Sequence, residues 1–575
     1  MPNANAQISL QHLGTYYSGI FDEGAAEICS YDAASMRLFV TNSDNDAIDV
    51  LDLSDPTNPT WIDSFDISNY GGGVNSVAVK NGIVAAAVEN DSTQLDGVVV
   101  FWDTLGNFIA TKQAGALPDM LIWTPSGNKL LVANEGEPSD DYGHDPEGSV
   151  TVIDVSGGVA GATVKQAYFR HFNAAPIDPN IRIFGPGASV AEDLEPEYIA
   201  CDDNIAYIIC QENNAIAALT LNNDSIVAIL GLGFKNWMDA GNTVDVSDRD
   251  GVINMQNWPF YGMYQPDAID MFSTGGNTYI VSANEGDARD YDTFSEEDRV
   301  KDITLDSIAF PNRDSLQLDD WMGRLEITNT LGDTNNDGRY EEIYGYGARS
   351  WSIWDALGNL VWDSEDELET VTAAQLPNDF NSTNDDNSSF DSRSDAKGPE
   401  PEAIAVAEFG GTWYAFIGLE RIGGIMTYDL STPTTPQFEE YINNRNFSVP
   451  ADSMPAEDLG VEDIVIIDGP ESPNGIPLLV TANEVSGTVS VFQINGVPTS
   501  IDNPIEDEET LSVYPNPAAD ILFVSKVGMY SIYTMDGALI RTVNETDRIM
   551  VNDLPTGSYL IRDLNSDESL TFIKK

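Results

Sequence analysis

A unit of three short apolar strands repeats seven times along the chain, and this repeat constrains the fold more than any other feature. Each copy begins with a polar, usually acidic residue that leads into an apolar strand. A turn connects this strand to a second one, and a Gly, Asn or Asp turn leads to a third strand that often ends in Asp. The first copy starts near Glu27. Six copies end at Ser54, Asp103, Ser156, Leu221, Ser431 and Ile494, and the second strand of the fifth copy ends near Asn284.

Short β-branched strands bounded by turn residues, with little helical periodicity, predict an all-β protein. Repeated sheets of three or four such strands are typical of a β-propeller. We therefore predict a seven-bladed β-propeller over residues 7–494, with an array of β-sandwiches and a ring of six or eight blades as alternatives. The segment Ile8–Tyr17 is one additional strand, which we expect to cover the open outer edge of the last blade.

Blade five carries a large insertion, residues 292–398, which holds polar loops and the predicted remaining strands of the blade, at 323–331, 341–355 and 359–364. The run Asn378–Lys397 is rich in Asn, Asp and Ser and is predicted to be a loop. Insertions in repeat proteins often gather on one face and build a binding surface. Exposed aromatic residues in this insertion would suit a polysaccharide ligand.

The charge balance is strongly acidic, because 94 Asp and Glu residues stand against 26 Lys and Arg residues and give a formal net charge of −68. Such a surface repels nucleic acid and anionic lipid and attracts cations. It is either a solvated surface suited to salty water, or part of it is organised into Ca²⁺ sites. We expect no nucleic-acid partner, no membrane span and a monomeric chain.

Both ends of the chain indicate secretion. The tripeptide Ala4-Asn5-Ala6 has the form of a signal-peptidase site, so residues 1–6 are predicted to be a signal-peptide remnant and Gln7 the mature start. Residues 495–509 are an acidic linker that contains proline, and residues 510–575 are a small all-β unit.

The C-terminal unit contains four short motifs: Tyr514-Pro515-Asn516-Pro517, Met535-Asp536-Gly537, Leu554 to Tyr559, and the basic end Lys574-Lys575. With these motifs it resembles the type A sorting domain of the type IX secretion system. The resemblance implies a small immunoglobulin-like β-sandwich, a bacterium of the Bacteroidetes type, and the type IX machinery as a partner. It also implies export across the outer membrane, followed by attachment at the cell surface or release. An ordinary immunoglobulin-like module is the alternative.

Three segments of the propeller are characteristic: Asp245–Gly251, Asn257–Asp267 and Ser282–Tyr291. On these segments the chain resembles the choice-of-anchor I family from about residue 10 to residue 494. The resemblance implies an extracellular domain that is joined to different sorting tails in different proteins. Some members are described as alkaline phosphatases or surface glycoproteins, and the resemblance carries over no catalytic residue.

Acidic residues recur at two positions of the repeat, and equivalent positions of a propeller lie on circles around its axis. The opening acid of each copy defines a first ring: Glu27, Asp119, Glu197, Asp267, Glu402 and Glu462, with Asn75 in blade two. The end of the second strand defines a second ring: Glu135, Glu212, Glu285, Glu420 and Glu484.

Carboxylates that converge on one axis raise one another's pKa, so either some are protonated or a cation binds among them. Oxygen ligands favour Ca²⁺ or Mg²⁺ over zinc. The alternative is that these acids cap turns and accept hydrogen bonds from neighbouring backbone N–H groups.

Two loops outside the rings have the spacing of calcium ligands. In the first, Asp333, Asn335 and Asp337 precede Gly338, which permits a sharp turn. The twelfth position is Tyr344 instead of Glu, so Glu341 or Glu342 must complete the ligand shell. The second, weaker loop offers Asp245, Ser247 and Asp250.

A catalytic site is the third hypothesis, because blades three and five share the sequence Ala-Asn-Glu-Gly followed by an acid. A bound metal and an Arg would hold and polarise a phosphate while a carboxylate activates water. The chain has three His residues and contains neither a Gly-x-Ser-x-Gly elbow nor a P-loop. The candidate catalytic residues are Glu135, Glu285, Asp287, Arg289, His144 and Arg421.

The leading prediction is a secreted, Ca²⁺-stabilised propeller that acts at the cell surface as a binding or structural module. The sequence does not identify its extracellular ligand. A metal-dependent phosphoesterase that uses the acids around the axis is the first alternative, and a polysaccharide-binding surface protein is the second.

Overall fold

The computed structural model describes residues 7–497, 513–535, 537–564 and 569–575. The chain divides into two compact units, Met1–Val497 and Pro498–Lys575. The predicted signal-peptide remnant, residues 1–6, and most of the predicted linker lie outside the described residues.

The first four blades follow one another along the chain, after an N-terminal strand, β1 (Ser9–Tyr17). Blade one contains β2 (Cys29–Asp32), β3 (Arg37–Asn42), β4 (Ala47–Asp52) and β5 (Thr60–Asp66). Blade two contains β6 (Val74–Lys80), β7 (Ile83–Val88), β8 (Asp96–Asp103) and β9 (Phe108–Ala116). Blade three contains β10 (Pro118–Trp123), β11 (Lys129–Asn134), β12 (Ser149–Asp154) and β13 (Thr163–Tyr168). Blade four contains β14 (Ile199–Cys201), β15 (Ile205–Cys210), β16 (Ala215–Thr220) and β17 (Ser225–Gly231).

Blade five is interrupted, and the strands around and inside it are numbered in chain order. Two short strands precede the blade: β18 (Phe234–Asn236) and β19 (Tyr261–Met263). The blade begins with β20 (Ile269–Thr274) and β21 (Asn277–Asn284). Five strands follow before it resumes: β22 (Asp290–Tyr291), β23 (Phe294–Ser295), β24 (Glu297–Arg299), β25 (Glu326–Thr328) and β26 (Tyr344–Gly345). The blade is completed by β27 (Ser350–Asp355) and β28 (Leu360–Asp363).

Blades six and seven and the C-terminal unit complete the strands. Blade six contains β29 (Pro401–Phe409), β30 (Thr412–Leu419), β31 (Ile425–Asp429) and β32 (Gln437–Ile442). Blade seven contains β33 (Val461–Ile467), β34 (Leu478–Asn483) and β35 (Thr488–Asn495), together with β1. The C-terminal unit contains β36 (Val513–Tyr514), β37 (Ile521–Thr534), β38 (Leu539–Met550), β39 (Gly557–Asp563) and β40 (Ser569–Lys574).

Helices are short in the described residues, and none of them is long and apolar enough to cross a membrane. The α-helices are α1 (Val190–Asp193), α2 (Arg313–Leu316) and α3 (Glu367–Gln375). Single 3-10 turns are formed by Val159–Gly161, Arg170–Ala174 and Met454–Ala456.

The seven four-stranded sheets close into a ring. Each innermost strand (β2, β6, β10, β14, β20, β29 and β33) contacts the innermost strand of the next blade, and β33 contacts β2. Strand β1 closes blade seven by pairing antiparallel with β35, from Ser9 opposite Asn495 to Tyr17 opposite Thr488. The predicted seven-bladed propeller is therefore confirmed. As predicted, β1 covers the outer edge of blade seven.

A separate apolar core fills each of the seven blade interfaces, because both faces of every blade are buried. In β11, Leu131 packs toward blade four, whereas Leu130 packs toward blade two. Successive side chains of a strand point to opposite faces, so one strand contributes to two cores. This explains why the strands are nearly continuous apolar runs in the sequence.

Polar side chains of the innermost strands tie neighbouring blades together. The Asp463 carboxylate of blade seven accepts a hydrogen bond from the Cys29 N–H of blade one at 2.9 Å. The Ser76 hydroxyl oxygen of blade two accepts one from the Leu121 N–H of blade three at 3.2 Å. Each bond satisfies a backbone donor of one blade with a side chain of the next, and thereby fixes how the blades stack around the axis.

Residues 285–349, which are inserted into blade five, and residues 234–263, which precede it, form a small subdomain together. Its five-stranded sheet has the order β18-β19-β26-β25-β24, so β25 joins this sheet and not blade five. Strand β19 pairs in parallel with β26, through Tyr261 opposite Tyr344. The subdomain has its own core, in which Trp237, Trp258 and Phe260 are buried.

Strand β37 organises the C-terminal unit, which is built from β-strands as predicted. It pairs with β38 along one side and with β36 and β39 along the other. Leu522, Tyr530, Ile532 and Phe572 are buried in its core.

Candidate cation site at the propeller axis

The innermost strands bring most of the first ring together around one cavity. The cavity has a volume of about 280 Å³, and it is lined by residues of blades one, two, three, four, five and seven. The first-ring members among its lining residues are Glu27, Asn75, Asp119, Asp267 and Glu462. Glu197 and Glu402 are buried.

The second ring is positioned by a buried Asn at the end of the second strand. Asn134 and Asn284 are both 0 % exposed. Their side-chain amides donate hydrogen bonds to hydroxyls on the neighbouring strand, at 2.9 Å to Thr151 and 2.8 Å to Ser352. The hydrogen bond of the Asn side chain therefore fixes the position of the strand end, and the Glu that follows the Asn lies near the axis. These second-ring residues are Glu135 and Glu285.

Part of the acidic ring is neutralised by cations of the protein itself, in blades five and six. Lys397 pairs with Glu285 and lies 3.3 Å from a carboxylate oxygen of Glu400. Arg421 lies 2.9 Å from Glu400 and 3.1 Å from Glu420. Burial alone would raise the pKa of Glu400, but Lys397 and two Arg residues lower it.

The remaining carboxylates face one another without such partners. Burial, followed by the repulsion of neighbouring acids, raises the pKa of Asp119 to about 7. The same two causes raise the pKa of Glu197, Asp267 and Glu402 well above the ordinary range of a carboxyl group. In the described part of the chain these buried acids form no ion pair, although Lys397 offsets part of the repulsion around Asp267.

Two of these buried acids each have an oxygen with no hydrogen-bond partner in the described part of the chain. Glu197 is 9 % exposed and Glu402 is 7 % exposed, and the unpaired atom is Oε2 in both. Burying such an atom costs free energy unless a partner or an ion satisfies it.

Asp267, Glu285 and Glu402 come close enough to share one ion. Each offers a carboxylate oxygen, and the three oxygens lie within 4.8 Å of one another. Ca²⁺ binds oxygen at about 2.3–2.6 Å, so ligand oxygens on one ion lie up to about 5 Å apart. A second group of this kind, Glu285, Glu400 and Glu420, already contacts Lys397 and Arg421. The first group shares Glu285 with the second, but its other two members, Asp267 and Glu402, form no ion pair in the described part of the chain, so it is the better cation site.

The catalytic candidates are divided between the axis and the rest of the molecule. Glu135, Glu285 and Asp287 belong to the acids around the axis, because they lie near other ring residues. His144 is exposed, and its backbone N–H donates to the Ser139 hydroxyl at 3.1 Å. Arg421 is engaged with Glu400 and Glu420, as described above.

Arg289 is buried and already paired with two carboxylates. It is 2 % exposed, and its guanidinium lies 2.6 Å from Asp193 and 2.7 Å from Glu195. Its Nε donates to the Glu195 carboxylate, its Nη1 to the Asp193 carboxylate and its Nη2 to the Asp193 carbonyl. Arg289 is therefore a counter-ion of blade four. The phosphoesterase hypothesis stays a prediction.

The first predicted calcium loop is held by hydrogen bonds within itself. The Asp333 carboxylate accepts from the backbone N–H groups of Asp337 and Gly338 at 3.0 and 2.9 Å. The Glu341 carboxylate accepts from the Thr334 N–H and from the Asn335 amide. Glu342 lies aside, because its carboxylate accepts from the Tyr344 hydroxyl. Calcium binding at this loop stays a prediction.

The second predicted loop is buried against a distant segment. Asp245 and Ser247 are each 1 % exposed, and Asp250 is half-buried. The Asp245 carboxylate accepts from the Ser247 and Asn254 N–H groups at 3.2 and 2.6 Å.

Sequence reasoning missed Arg393 and Lys397, which bring positive charge to the ring, and Glu400, the buried carboxylate that both of them contact. The first two lie in the Asn/Asp/Ser-rich loop, outside the repeat, so no equivalent position in another blade points to them. One signal was present for the acids. Glu195-Pro196-Glu197 and Glu400-Pro401-Glu402 are the same tripeptide, and in both the first Glu pairs with an Arg while the second belongs to the first ring.

Comparisons with solved structures give two low-similarity matches. The β-propeller domain of Cps50 (Swd1) from Myceliophteria thermophila is 7 % identical, with a TM-score of 0.39, over 84 % of this chain and 99 % of that one. Hydrazine synthase from Kuenenia stuttgartiensis is 14 % identical, with a TM-score of 0.26, over 45 % of this chain and 80 % of that one.

Two curated relatives match the chain more directly. Gigasin-3a from Magallana gigas is 33 % identical over 202 residues, which cover 33 % of this chain and 70 % of the relative. A mesenchyme-specific cell surface glycoprotein from Strongylocentrotus purpuratus is 26 % identical over 401 residues, which cover 62 % of this chain and 47 % of that protein. The chain thus spans about half the length of the second relative.

Two family models match the chain. The model of the secretion system C-terminal sorting domain matches residues 512–575, which indicates secretion and attachment to the cell surface. The model of the choice-of-anchor I domain matches residues 27–433, which is well over half of the chain. This chain therefore belongs to the choice-of-anchor I domain family and carries a C-terminal secretion sorting domain.

Proposed function

We propose that this protein is a cell-surface binding module whose propeller axis holds a divalent cation, with Ca²⁺ as the preferred ion. The observation that supports the proposal is the convergence of Asp267, Glu285 and Glu402 within 4.8 Å. Glu402 adds a buried oxygen that no described residue satisfies.

The donor set favours a hard cation. The ring offers carboxylate oxygens, and Ca²⁺ accepts six to eight such ligands in irregular geometry, whereas zinc prefers His and Cys. Binding an ion would replace the repulsion between Asp267 and Glu402 by attraction of both to the ion. Since Asp267 belongs to blade five and Glu402 to blade six, the same ion would also tie two blades together.

The ion would also give the protein a means of binding an extracellular ligand. The cavity beside the ring is polar and open to the axis residues of six blades. Coordination positions that the protein leaves unfilled would be available to oxygen atoms of a ligand, which an acidic surface would otherwise repel when they are charged. The alternative that exposed aromatics of the insertion bind a polysaccharide stays a prediction.

The test is Ca²⁺ binding to the full chain after chelation, measured by isothermal titration calorimetry together with melting temperature. The double variant Asp267→Asn, Glu402→Gln is expected to weaken binding at the axis at least tenfold and to reduce the rise in melting temperature. The matched control is Glu408→Gln, because Glu408 is an exposed acid on the same strand as Glu402. Binding to the double variant that equals binding to the control would refute the proposal.

A further inference from the structure

Two loops that are far apart in the sequence are held next to each other by shared hydrogen-bond partners. We call them the 245 loop (residues 245–254) and the 391 loop (residues 380–396). The Arg349 guanidinium donates to the Asp245 carbonyl at 2.7 Å and to the Ser394 carbonyl at 2.8 Å. The Glu369 carboxylate accepts from the Asp245 N–H at 3.3 Å and from the Asn381 amide at 3.1 Å. The Arg349 side chain and the Glu369 side chain therefore each bridge the two loops.

Each loop contains a buried carboxylate. Asp245 is 1 % exposed and Asp391 is 2 % exposed. Asp391 Oδ1 accepts a hydrogen bond from the Ser394 hydroxyl at 2.7 Å. Asp391 Oδ2 is buried and has no hydrogen-bond partner within the part of the chain that the structure describes. This unpaired oxygen is the observation that separates the pair from an ordinary acidic cluster.

The electrostatics of the two loops agree with this geometry. Burial, and then the charges of Asp245, Asp250 and Asp248, raise the pKa of Asp391 to about 8. Burial, with contributions from Glu369 and Asp250, raises the pKa of Asp245 to about 7. The charge of Asp245 thus contributes to the raised pKa of Asp391, and both carboxylates are buried.

The basic residues nearby are already engaged. Arg349 binds backbone carbonyls and the Glu369 carboxylate at 2.7 Å. Arg324 lies 2.5 Å from Asp248 and 2.8 Å from Asp395. A further oxygen, Asn381 Oδ1, is buried next to this site and has no partner among the described residues. The oxygens present are those that Ca²⁺ prefers.

We propose that a divalent cation, Ca²⁺ by its ligand chemistry, binds between Asp245 and Asp391 and ties the 245 loop to the 391 loop. This site uses a different set of carboxylates from the axis and goes beyond the proposed function. It also supports the axis, because the 391 loop leads directly to Lys397 and Glu400. The residues of the 245 loop offer too few ligands for a cation by themselves, and Asp391 of the 391 loop would supply a further one.

The experiment counts Ca²⁺ ions bound to the full chain by native mass spectrometry and calorimetry. The variant Asp391→Asn is expected to lose one ion, or to bind it at least tenfold more weakly. Asp385→Asn is the matched control, because Asp385 is an exposed acid of the same loop. Asp250 is half-buried at the edge of the site, and Asp250→Asn is expected to weaken the binding of the same ion. An unchanged count and affinity in Asp391→Asn would overturn the proposal.

A second measurement separates an ion ligand from a structural acceptor. Without metal, Asp391→Asn removes a buried charge, so its melting temperature near pH 8 is expected to exceed that of the chelated wild type. Added Ca²⁺ is expected to raise the melting temperature of Asp391→Asn less than that of the wild type. A chelated variant that melts below the chelated wild type would instead identify Asp391 as a structural hydrogen-bond acceptor and overturn the proposal.

The axial variant Asp267→Asn, Glu402→Gln distinguishes the two proposals. It is expected to retain the ion at Asp391. If the axial proposal fails and this one holds, the axial variant behaves as the wild type while Asp391→Asn still loses its ion.

Discussion

Arg289 neutralises two buried carboxylates at once, and this sets the scale of what a single side chain contributes. Removing one partner of a buried ion pair leaves an uncompensated charge, which typically destabilises a protein by about 3–5 kcal/mol. An exposed pair contributes about 0–1 kcal/mol, because water and salt screen it. The burial of its ion pair therefore decides how much an Arg residue contributes to the stability of this fold.

We predict that Arg289→Met lowers the free energy of unfolding by about 3–5 kcal/mol, because Asp193 and Glu195 then remain buried without a cation. Equilibrium unfolding in urea measures the change. The control is Arg170→Met, because Arg170 pairs with Glu147 while its side chain is 61 % exposed, and it is expected to change stability by less than about 1 kcal/mol. Equal losses in the two variants would contradict the prediction.

At the residue scale, the ring acids could be predicted because they recur in the repeat. Lys397, which pairs with one of them, could not be predicted, because it lies in a loop outside the repeat. Glu402 and Asp267 occupy equivalent positions of two blades, so periodicity alone places them on one circle. Lys397 and Asp391 belong to a loop without periodicity. Their roles depend on the folded path of that loop, which no pattern in the sequence encodes.

The closing strand β1 is the element on which the ring depends. Ile8 is 1 % exposed and Leu10 is 6 % exposed, and both pack into the core between blades six and seven. Without β1, the edge of β35 would present unpaired N–H and C=O groups.

We predict that Leu10→Ala destabilises the propeller by about 2–5 kcal/mol, because it removes buried methyl groups and leaves a cavity. Thermal or urea unfolding of the variant measures the effect. Gln11→Ala is the matched control, because Gln11 is the exposed neighbour on the same strand, and its stability should stay within about 0.5 kcal/mol of the wild type. A Leu10→Ala protein as stable as this control would show that blade seven does not need its outer strand.

At the element scale, the blade strands were predictable because both of their faces are buried and they are bounded by turns. The inserted subdomain was not. Its strands are two or three residues long, and β19 pairs with β26 across about eighty residues of chain. A short strand carries too few residues to show a period, so β25 was assigned to blade five in place of its own sheet.

The whole molecule collects many acids whose pKa is raised on folding. The value is about 7 for Glu27 and Asp119 and about 8 for Glu420 and Asp391, with burial as the largest cause in each case. Carboxyl groups of an unfolded chain titrate near pH 4. Between about pH 4 and pH 8 the folded state therefore binds more protons than the unfolded state.

We predict that the chelated protein loses stability as the pH rises from about 4 to about 8, because the unfolded chain releases these protons more readily than the folded one. Ca²⁺ requires ionised carboxylates, so its stabilising effect should grow over the same range. Melting temperatures at several pH values, with EDTA and with Ca²⁺, measure both trends. High concentrations of NaCl provide the control, because salt screens the surface charge but acts little on buried acids. A melting temperature of the chelated protein that rises steadily to pH 8 would contradict the prediction.

Strand β35 leads toward the sorting tail and is held on both sides, by β34 and by β1. A pull applied along this strand acts at right angles to the hydrogen bonds of two antiparallel ladders. Those bonds then share the load in shear and must yield together, whereas bonds at a peeled edge yield one at a time. The blade that contains both the first and the last strand of the propeller, β1 and β35, is thus the one best able to resist a pull of this kind.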